Sequence, residues 1–369
     1  MLVYLAVLAI IPILAIIMKP SQSRTMRLLY VWIIFGTLAV LAMCRGYTVG
    51  VDTQQFVSVY QNIGLNPSFS LEEYRYEPGF TILCKLLNSI SLEPQLLLVV
   101  TGAFILFTVG YTVYSLSDDV ALSAFMFVAM TTYSTYLNVM RQAVAIGFVL
   151  LGYNQYMKRK WISSIIFFYI ATLFHTSSWI VLIVLALTLL PFTKKTLLSY
   201  LFITAVMFIF SNQVTSVVAA MMGKERFYDP DHSGANYFGA LIILMFTFCI
   251  VCLCFFYMGI NSSNDGKTTE SVLYRHTLML WLMFVAMGVK VEVMNRFSYY
   301  FGIISILVVP YALIHVKGKE RYWVRILFCG ICFVYFLSVE LWRPEWHGVV
   351  PYVMNYDGLS RLFKDTSLF

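Results

Sequence analysis

The sequence has few charged residues. Only 12% of its 369 residues are Asp, Glu, Lys or Arg, which is about half the share of an average soluble domain. Hydrophobic residues make up 60% of the chain, and the mean hydropathy is +0.80. Apolar runs long enough to cross a bilayer recur along the whole length. These proportions exclude a soluble globular protein and predict an all-α, polytopic integral membrane protein.

The sequence also lacks several common signals. No basic residue precedes the first apolar stretch and no small-residue cleavage site follows it, so we expect a retained membrane helix and not a cleaved signal peptide. The cysteine clusters at 249–254 and 329–332 have no His or carboxylate beside them and are interpreted as core residues. The net charge of +7 indicates no nucleic-acid partner, because basic cytoplasmic loops account for it.

Hydropathy predicts a single transmembrane domain over residues 1–369 with about twelve spans. The spans are expected near 2–18, 28–44, 95–115, 120–138, 142–157, 161–174, 177–191, 197–212, 237–259, 275–290, 297–315 and 323–341. Basic residues concentrate in one of the two alternating sets of connecting segments, and the positive-inside rule assigns that set to the cytoplasm. Both termini are then predicted outside, together with the loops 45–94 and 213–236 and the tail 342–369.

One long apolar run carries a single charge in its middle. Between Asp119 and Lys158 the only charged residue is Arg141. One helix over this run would be about 57 Å long, nearly twice the hydrocarbon core of a bilayer. We therefore expect a break at residues 138–141, with Arg141 at the external end of the next helix.

Two further segments are predicted at the external face. FHTSS (174–178) interrupts a second long apolar run and places His175 at the external end of a helix. Residues 77–90 are apolar but too short to span, which predicts an interfacial or re-entrant helix that begins with Pro78.

The other polar residues of the external face are mostly arginines, tyrosines and carboxylates. They are Arg45, Asp52, Arg75, Tyr76, Glu77, Lys290, Glu292, Arg296 and Tyr299, with Lys224, Arg226, Asp229, Asp231 and His232 in the second loop. Guanidinium groups suit phosphate, because they bind two of its oxygens at once, and aromatic rings suit sugars. The set indicates an external cavity for a phosphate-bearing, lipid-anchored sugar. The alternative interpretation of each single arginine is that its side chain extends to the lipid headgroups. Residues 229–232 are also typical of a turn.

The order of five segments resembles the EpsG branch of the Wzy-type polysaccharide polymerases. The segments are RGYTVGVDTQQFVSVYQ (45–61), YEPGFTILCKLLN (76–88), NVMRQAVAIGFVLLGYNQYMKRKW (138–161), FYIATLFHTSSWIVL (168–182) and NRFSYYF (295–301). Val51 stands where the family's usual Gly-Thr-Asp has threonine.

This resemblance implies a glycosyltransferase with a GT-C-like fold in the bacterial inner membrane, with its active site facing the periplasm or the outside. The implied donor and acceptor are oligosaccharide repeat units on undecaprenyl diphosphate, polymerised into O-antigen, capsule or exopolysaccharide at the outer leaflet. A flippase, a chain-length-regulating co-polymerase and membrane lipid are the implied partners. No metal or other cofactor is implied.

The implied reaction assigns roles to residues. Departure of the diphosphate develops negative charge, which fixed cations stabilise. The candidates for substrate binding are Arg141, Arg296, Arg45, Gln142, Tyr76, Arg75, Tyr299, Lys290 and Arg226. The acceptor hydroxyl loses a proton, so a base is needed, and Glu77 is preferred over Asp52 and His175. An inverting displacement is simplest, whereas retention would use Asp52 as a second carboxylate.

Other functions fit some of these features. An O-antigen ligase uses the same donor, but is expected to have a larger external domain than residues 213–236. A transporter or lipid flippase would need charges near mid-membrane and a pathway open to both faces, whereas these charges lie at the outer ends of the predicted spans. A membrane acyltransferase would have only His175 in its favour.

Overall fold

The computed structural model describes residues 1–66, 76–221, 237–260 and 269–366, with side chains up to residue 363. Within these residues the chain is helical, and the only β-bridge joins Arg45 to Met354. The chain forms two compact units, Met1–Thr176 with Tyr322–Phe369 and Ser177–Arg321. We refer to them as the first and the second unit.

The described helices are numbered in chain order. They are α1 (Leu2–Met18), α2 (Arg24–Cys44), α3 (Thr53–Leu65), α4 (Pro78–Asn88), α5 (Gln95–Leu116), α6 (Val120–Ala129), α7 (Thr132–Asn138), α8 (Met140–Met157), α9 (Trp161–Phe174), α10 (Val181–Leu187), α11 (Lys194–Ile209), α12 (Ser211–Met221), α13 (Tyr237–Met258), α14 (Thr269–Gly288), α15 (Val293–Gly302), α16 (Ser305–Ile314), α17 (Gly318–Trp342) and α18 (Tyr356–Thr366). Short 3₁₀ turns cover Thr176–Ile180 and Pro344–Trp346.

Several of these helices are long and apolar enough to cross a bilayer. Five pass by themselves: α2, α5, α13, α14 and α17. Three bent pairs, α6–α7, α11–α12 and α15–α16, raise the number among the described residues to eight if each pair is one span. The prediction of an all-helical, membrane-embedded, polytopic protein is confirmed. The count of twelve spans stays a prediction, because α1, α9 and Thr176–Leu187 are shorter apolar helices.

The run between Asp119 and Lys158 breaks twice. The break predicted at residues 138–141 is confirmed, since α7 ends at Asn138 and α8 begins at Met140. The span expected near 120–138 stays a prediction, because α6 and α7 pass as one apolar span only as a pair that is bent by 55°. Thr131 makes this second bend with a φ of 58°, in the left-handed region that β-branched residues rarely adopt.

Helix α8 is the centre of the first unit and packs between α5 and α9. Its Gly152 allows the close approach of α9, because a Cβ there would lie 2.4 Å from a ring carbon of Phe168. The Ser164 hydroxyl donates to the Gly152 carbonyl over 2.9 Å. On the other side, Asn154 Nδ2 donates to Thr112 Oγ1 over 2.8 Å. Small residues and interhelical hydrogen bonds are the usual means of helix association in membranes.

In the second unit, α14 is buried on all sides from Leu273 to Gly288. Two of its polar side chains are satisfied by hydrogen bonds within that unit. Arg275 donates to the carbonyls of Met258 and Gly259 at the C-terminal end of α13, where a helix leaves its last carbonyls without partners of its own. The Tyr200 hydroxyl and His276 Nδ1 form a hydrogen bond of 2.8 Å. The other ring nitrogen, Nε2, lies 3.1 Å from the Leu190 carbonyl oxygen. Both residues therefore stabilise the helix packing.

Within the first unit, hydrogen bonds hold the C-terminal tail against the end of α2 and the loop that follows it. The Gly46 amide donates to the Val353 carbonyl over 2.7 Å, and the Asn355 amide donates to the Cys44 carbonyl over 3.0 Å. The Asn355 side chain also donates to Gln95 Oε1 over 2.8 Å, and Gln95 is fully buried. The tail thus closes over the loop that follows α2.

We expect Asn355→Ala to lower the free energy of unfolding by about 1–3 kcal/mol, because it leaves the buried Gln95 oxygen without a donor. Ser360→Ala, an exposed position on α18, is the matched control. Thermal unfolding of both variants in detergent measures the difference. Equal midpoints for the two variants would show that the tail is not held by this contact.

Candidate active site

Three chain segments of the first unit meet at the carboxylate of Glu77. Arg141 Nη1 forms an ion pair with Glu77 Oε2. The other oxygen, Oε1, accepts hydrogen bonds from the Thr176 amide and hydroxyl over 3.2 and 3.3 Å. His175 Nδ1 lies 3.4 Å from the same oxygen. The site therefore joins the start of α4, the start of α8 and the end of α9.

The sequence EPG (77–79) explains how α4 reaches this point. The proline occupies the first position of the helix and confines Glu77 to an extended conformation, with φ −63° and ψ 148°. Gly79 then allows α4 to approach the end of α9, because a Cβ on Gly79 would lie 2.7 Å from the Leu173 carbonyl oxygen. This close approach sets Glu77 beside His175.

The break between α7 and α8 positions Arg141. Asn138, the last residue of α7, accepts a hydrogen bond from the Val51 amide and donates to the Ser134 carbonyl over 3.0 Å. The break is thereby fixed to the loop after α2. Arg141 lies in the first turn of α8, where the helix dipole disfavours a positive charge. The negative charge of Glu77 offsets this unfavourable interaction through the ion pair.

Aromatic rings cover the guanidinium group of Arg141. Its central carbon lies 4.5 Å from the ring centre of Tyr76, and 5.9 and 6.0 Å from those of Phe56 and Phe80. Gln55 Nε2 donates to the Tyr76 hydroxyl over 3.0 Å and so fixes that ring. Cation–π contacts of this kind gain strength where water is scarce. The rings hold the guanidinium plane in one orientation.

The ion pair is largely removed from solvent. The side chain of Arg141 is 17% exposed and that of Glu77 is 5% exposed. Only Nη1 of Arg141 contacts the carboxylate, and its Nε has no hydrogen-bond acceptor among the described residues. The edge formed by Nε and Nη2 is therefore the one that a phosphate group could engage in a fork.

Both charged residues were predicted from the sequence, but their pairing was not. Arg141 was expected to bind a diphosphate and Glu77 to accept a proton, as separate roles. Thr176, which donates twice to Glu77, was not predicted. The available signal was the presence of opposite charges at two apolar segments, since a charge buried at membrane level requires a partner.

Arg45, Asp52 and Gln142 are the other candidates in the first unit. Arg45 is 2% exposed, and its guanidinium donates to the Ala42 and Leu137 carbonyls over 2.9 and 3.3 Å. Asp52 is half-buried before α3 and makes no side-chain capping bond there. Gln142 follows Arg141 and is buried. The contacts of Arg45 favour a structural role, and the substrate roles of Asp52 and Gln142 stay predictions.

The remaining candidates are in the second unit or outside the described residues. On α15, Arg296 is exposed and Tyr299 is half-buried. Lys290 Nζ lies 3.4 Å from the Ile209 carbonyl and 4.6 Å from the ring centre of Phe208. Arg75 and Arg226 belong to the segments that the structure does not describe. Substrate binding by these residues stays a prediction.

The described residues contain no evident metal-binding site. Across the described ranges, no group of three or more His, Cys, Asp or Glu side chains is arranged to hold a metal ion. Asp229 and Asp231, which form an Asp-Pro-Asp sequence, lie outside those ranges. Metal independence therefore stays a prediction.

Comparison with known proteins gives one match. A family model described as the EpsG family matches residues 28–354, which include every segment of the site. No curated protein and no solved structure matched the chain.

We expect Gly79→Ala to lower the free energy of unfolding by about 1–3 kcal/mol, because the added methyl group would overpack the contact between α4 and α9. Gly36→Ala on α2 is the matched control, since nothing lies within 4 Å of a Cβ there. That substitution is expected to be neutral or stabilising by up to about 1 kcal/mol. Thermal unfolding in detergent compares the two, and a Gly79→Ala midpoint at or above that of Gly36→Ala would contradict the packing argument.

Proposed function

Since the chain belongs to the EpsG family, we propose that it is a membrane glycosyltransferase that polymerises undecaprenyl-diphosphate-linked oligosaccharide repeat units. The family indicates a polysaccharide polymerase-type role, and the apolar helices place the protein in a membrane. The product is O-antigen, capsule or exopolysaccharide. The observation that carries the proposal is a largely buried guanidinium group that is fixed by Glu77 and by aromatic rings.

In the proposed reaction, an acceptor sugar hydroxyl attacks the anomeric carbon of the donor. A new carbon–oxygen bond forms as the bond to the diphosphate breaks, and the acceptor proton passes to a base. The leaving diphosphate gains negative charge, so a fixed cation nearby lowers the barrier. Donor and acceptor are both anchored in the bilayer, which suits a site at membrane level.

Arg141 is the cation in this proposal. Its Nη1 atom is held by Glu77 and its plane is held by Tyr76, so little reorganisation is needed when a phosphate binds. The edge formed by Nε and Nη2 matches two phosphate oxygens, a geometry that lysine lacks. Arg296 and Lys290 of the second unit are the further candidates for binding the diphosphate or sugar.

His175 is the base in this proposal, and its Nδ1 lies 3.4 Å from Glu77 Oε1. Both carboxylate oxygens of Glu77 already accept hydrogen bonds, from Arg141 and from the Thr176 amide and hydroxyl. A histidine oriented by a carboxylate at Nδ1 accepts a proton at Nε2, as in serine hydrolases. Asp52 is the alternative carboxylate.

The orientation in the membrane is also part of the proposal. The distribution of basic residues supports a site that faces the periplasm or the outside, with both termini on that side of the bacterial inner membrane. About twelve spans and a GT-C-like fold complete this topology. A flippase would supply the substrate, and a separate co-polymerase would set the chain length.

The first test is Arg141→Lys. We expect polymerisation to fall by about 100-fold or more, because a lysine ammonium keeps the charge but loses the fork. The assay is elongation of a defined lipid-linked repeat unit by the purified protein, with and without a chelator. Arg343→Lys is the matched control, since the side chain of Arg343 is half-exposed and forms an ion pair with the nearby Glu345. Normal polymer length and yield with Arg141→Lys would overturn the role of Arg141.

The second test separates His175 from Glu77. His175→Asn is expected to lower turnover by about 10²–10⁴-fold while the protein stays folded and binds the lipid-linked unit. Glu77→Gln is expected to lower stability by about 3–5 kcal/mol, because it leaves the charge of Arg141 unpaired. Unfolding midpoints and single-turnover rates are measured for both. An active His175→Asn variant would assign the base to Glu77 or Asp52 instead.

A further inference from the structure

His347 lies between three segments of the first unit. Its ring nitrogen Nδ1 is 3.1 Å from Oε1 of Glu340, in the last turn of α17. The other ring nitrogen, Nε2, is 3.2 Å from the Thr135 hydroxyl on α7. Its backbone carbonyl accepts a hydrogen bond over 3.3 Å from the Val51 amide, in the loop after α2. One residue of the tail thus contacts the end of α17, α7 and this loop.

The charge of Glu340 keeps His347 in this position. Glu340 is 1% exposed, and neither of its carboxylate oxygens has a hydrogen-bond partner among the described residues. In the same part of the chain, no other basic side chain lies within ion-pair distance of it. The contact with Nδ1 is close enough for an ion pair, although it is not aligned as a hydrogen bond. Because a buried carboxylate is costly without a basic partner, displacement of His347 from Glu340 is unfavourable.

The loop that His347 contacts also fixes the start of α8. The Val51 amide donates both to the His347 carbonyl and to the side-chain oxygen of Asn138, the last residue of α7. Thr135 lies one turn before Asn138. The tail therefore holds α7 at two points, one directly through the ring and one through the loop. Arg141 follows Asn138 by three positions, in the first turn of α8, so the orientation of α7 sets where its guanidinium group lies.

We propose that His347 is a positioning residue for Arg141 in the transfer of the lipid-linked sugar. By holding α7, it keeps the guanidinium group at the place where the diphosphate leaves. His347 forms no hydrogen bond or ion pair with Arg141 in the described structure, so it acts through α7 and not on the substrate. The inference rests on the proposed function, because it assigns a further residue to the same reaction.

The test removes the contact between His347 and α7 without disturbing Glu340. Thr135→Val keeps the shape of the side chain and removes its hydroxyl. We expect kcat for elongation of a lipid-linked repeat unit to fall by about tenfold or more, with KM changed by less than about threefold, because a displaced guanidinium stabilises the leaving diphosphate less well. Thr135→Ser keeps the hydroxyl and should turn over like the unaltered protein. Thr132→Val, on the same helix and likewise half-buried, is the matched control.

A second variant removes the charges themselves. Glu340→Gln with His347→Leu leaves neither charge unpaired, and unfolding midpoints in detergent check that the protein stays folded. We expect a fall in kcat similar to that of Thr135→Val. Adding Thr135→Val to this pair should lower kcat no further, because the contact is already lost. Multiplicative effects on kcat would show that Thr135 and His347 act independently and would overturn the proposal.

Arg141→Lys, measured in parallel, separates this inference from the proposed function. The expected result is a loss of activity in both Arg141→Lys and Thr135→Val. If Arg141→Lys loses activity while Thr135→Val turns over like Thr132→Val, the role of His347 is wrong and the proposed function stands. If Arg141→Lys elongates normally, the proposed function fails and the role of His347 fails with it.

Discussion

The ion pair between Arg141 and Glu77 is the interaction on which the site depends. It connects residues that are 64 positions apart and joins the start of α4 to the start of α8. Either charge alone would be costly in this buried position, because little water is present to solvate it. Together they fix a guanidinium whose buried Nε has no hydrogen-bond acceptor among the described residues. The packing of α4 against α8 and the proposed binding of the diphosphate therefore depend on the same ion pair.

The surrounding features serve to hold this contact in place. Gly79 lets α4 approach the end of α9, and Asn138 ties the break before α8 to the loop after α2. The C-terminal tail closes over that loop. Sites formed where helices break inside a membrane protein need such support, because the freed backbone groups must find partners within the protein.

Much of this arrangement follows from the sequence, but not all of it. Helix length against bilayer thickness predicts the break near Asn138, and Pro78 predicts where α4 begins. The bend at Thr131 has no local signal, because threonine rarely adopts a left-handed conformation and only tertiary packing imposes it. For the pairing of Arg141 with Glu77 the sequence carries only an indirect signal, the presence of opposite charges at two apolar segments. Hydropathy gives the depth of a residue in the membrane, whereas pairing depends on how distant helices pack.

The central claim is that the diphosphate of the lipid-linked donor binds at Arg141. An experimental structure of the protein with a bound polyprenyl diphosphate sugar is the most direct measurement. We expect a phosphate oxygen at about 2.7–2.9 Å from Nε or Nη2 of Arg141, with Glu77 still at Nη1. A diphosphate bound elsewhere, with Arg141 contacting only Glu77 and its aromatic neighbours, would contradict the account and leave the ion pair a purely structural element.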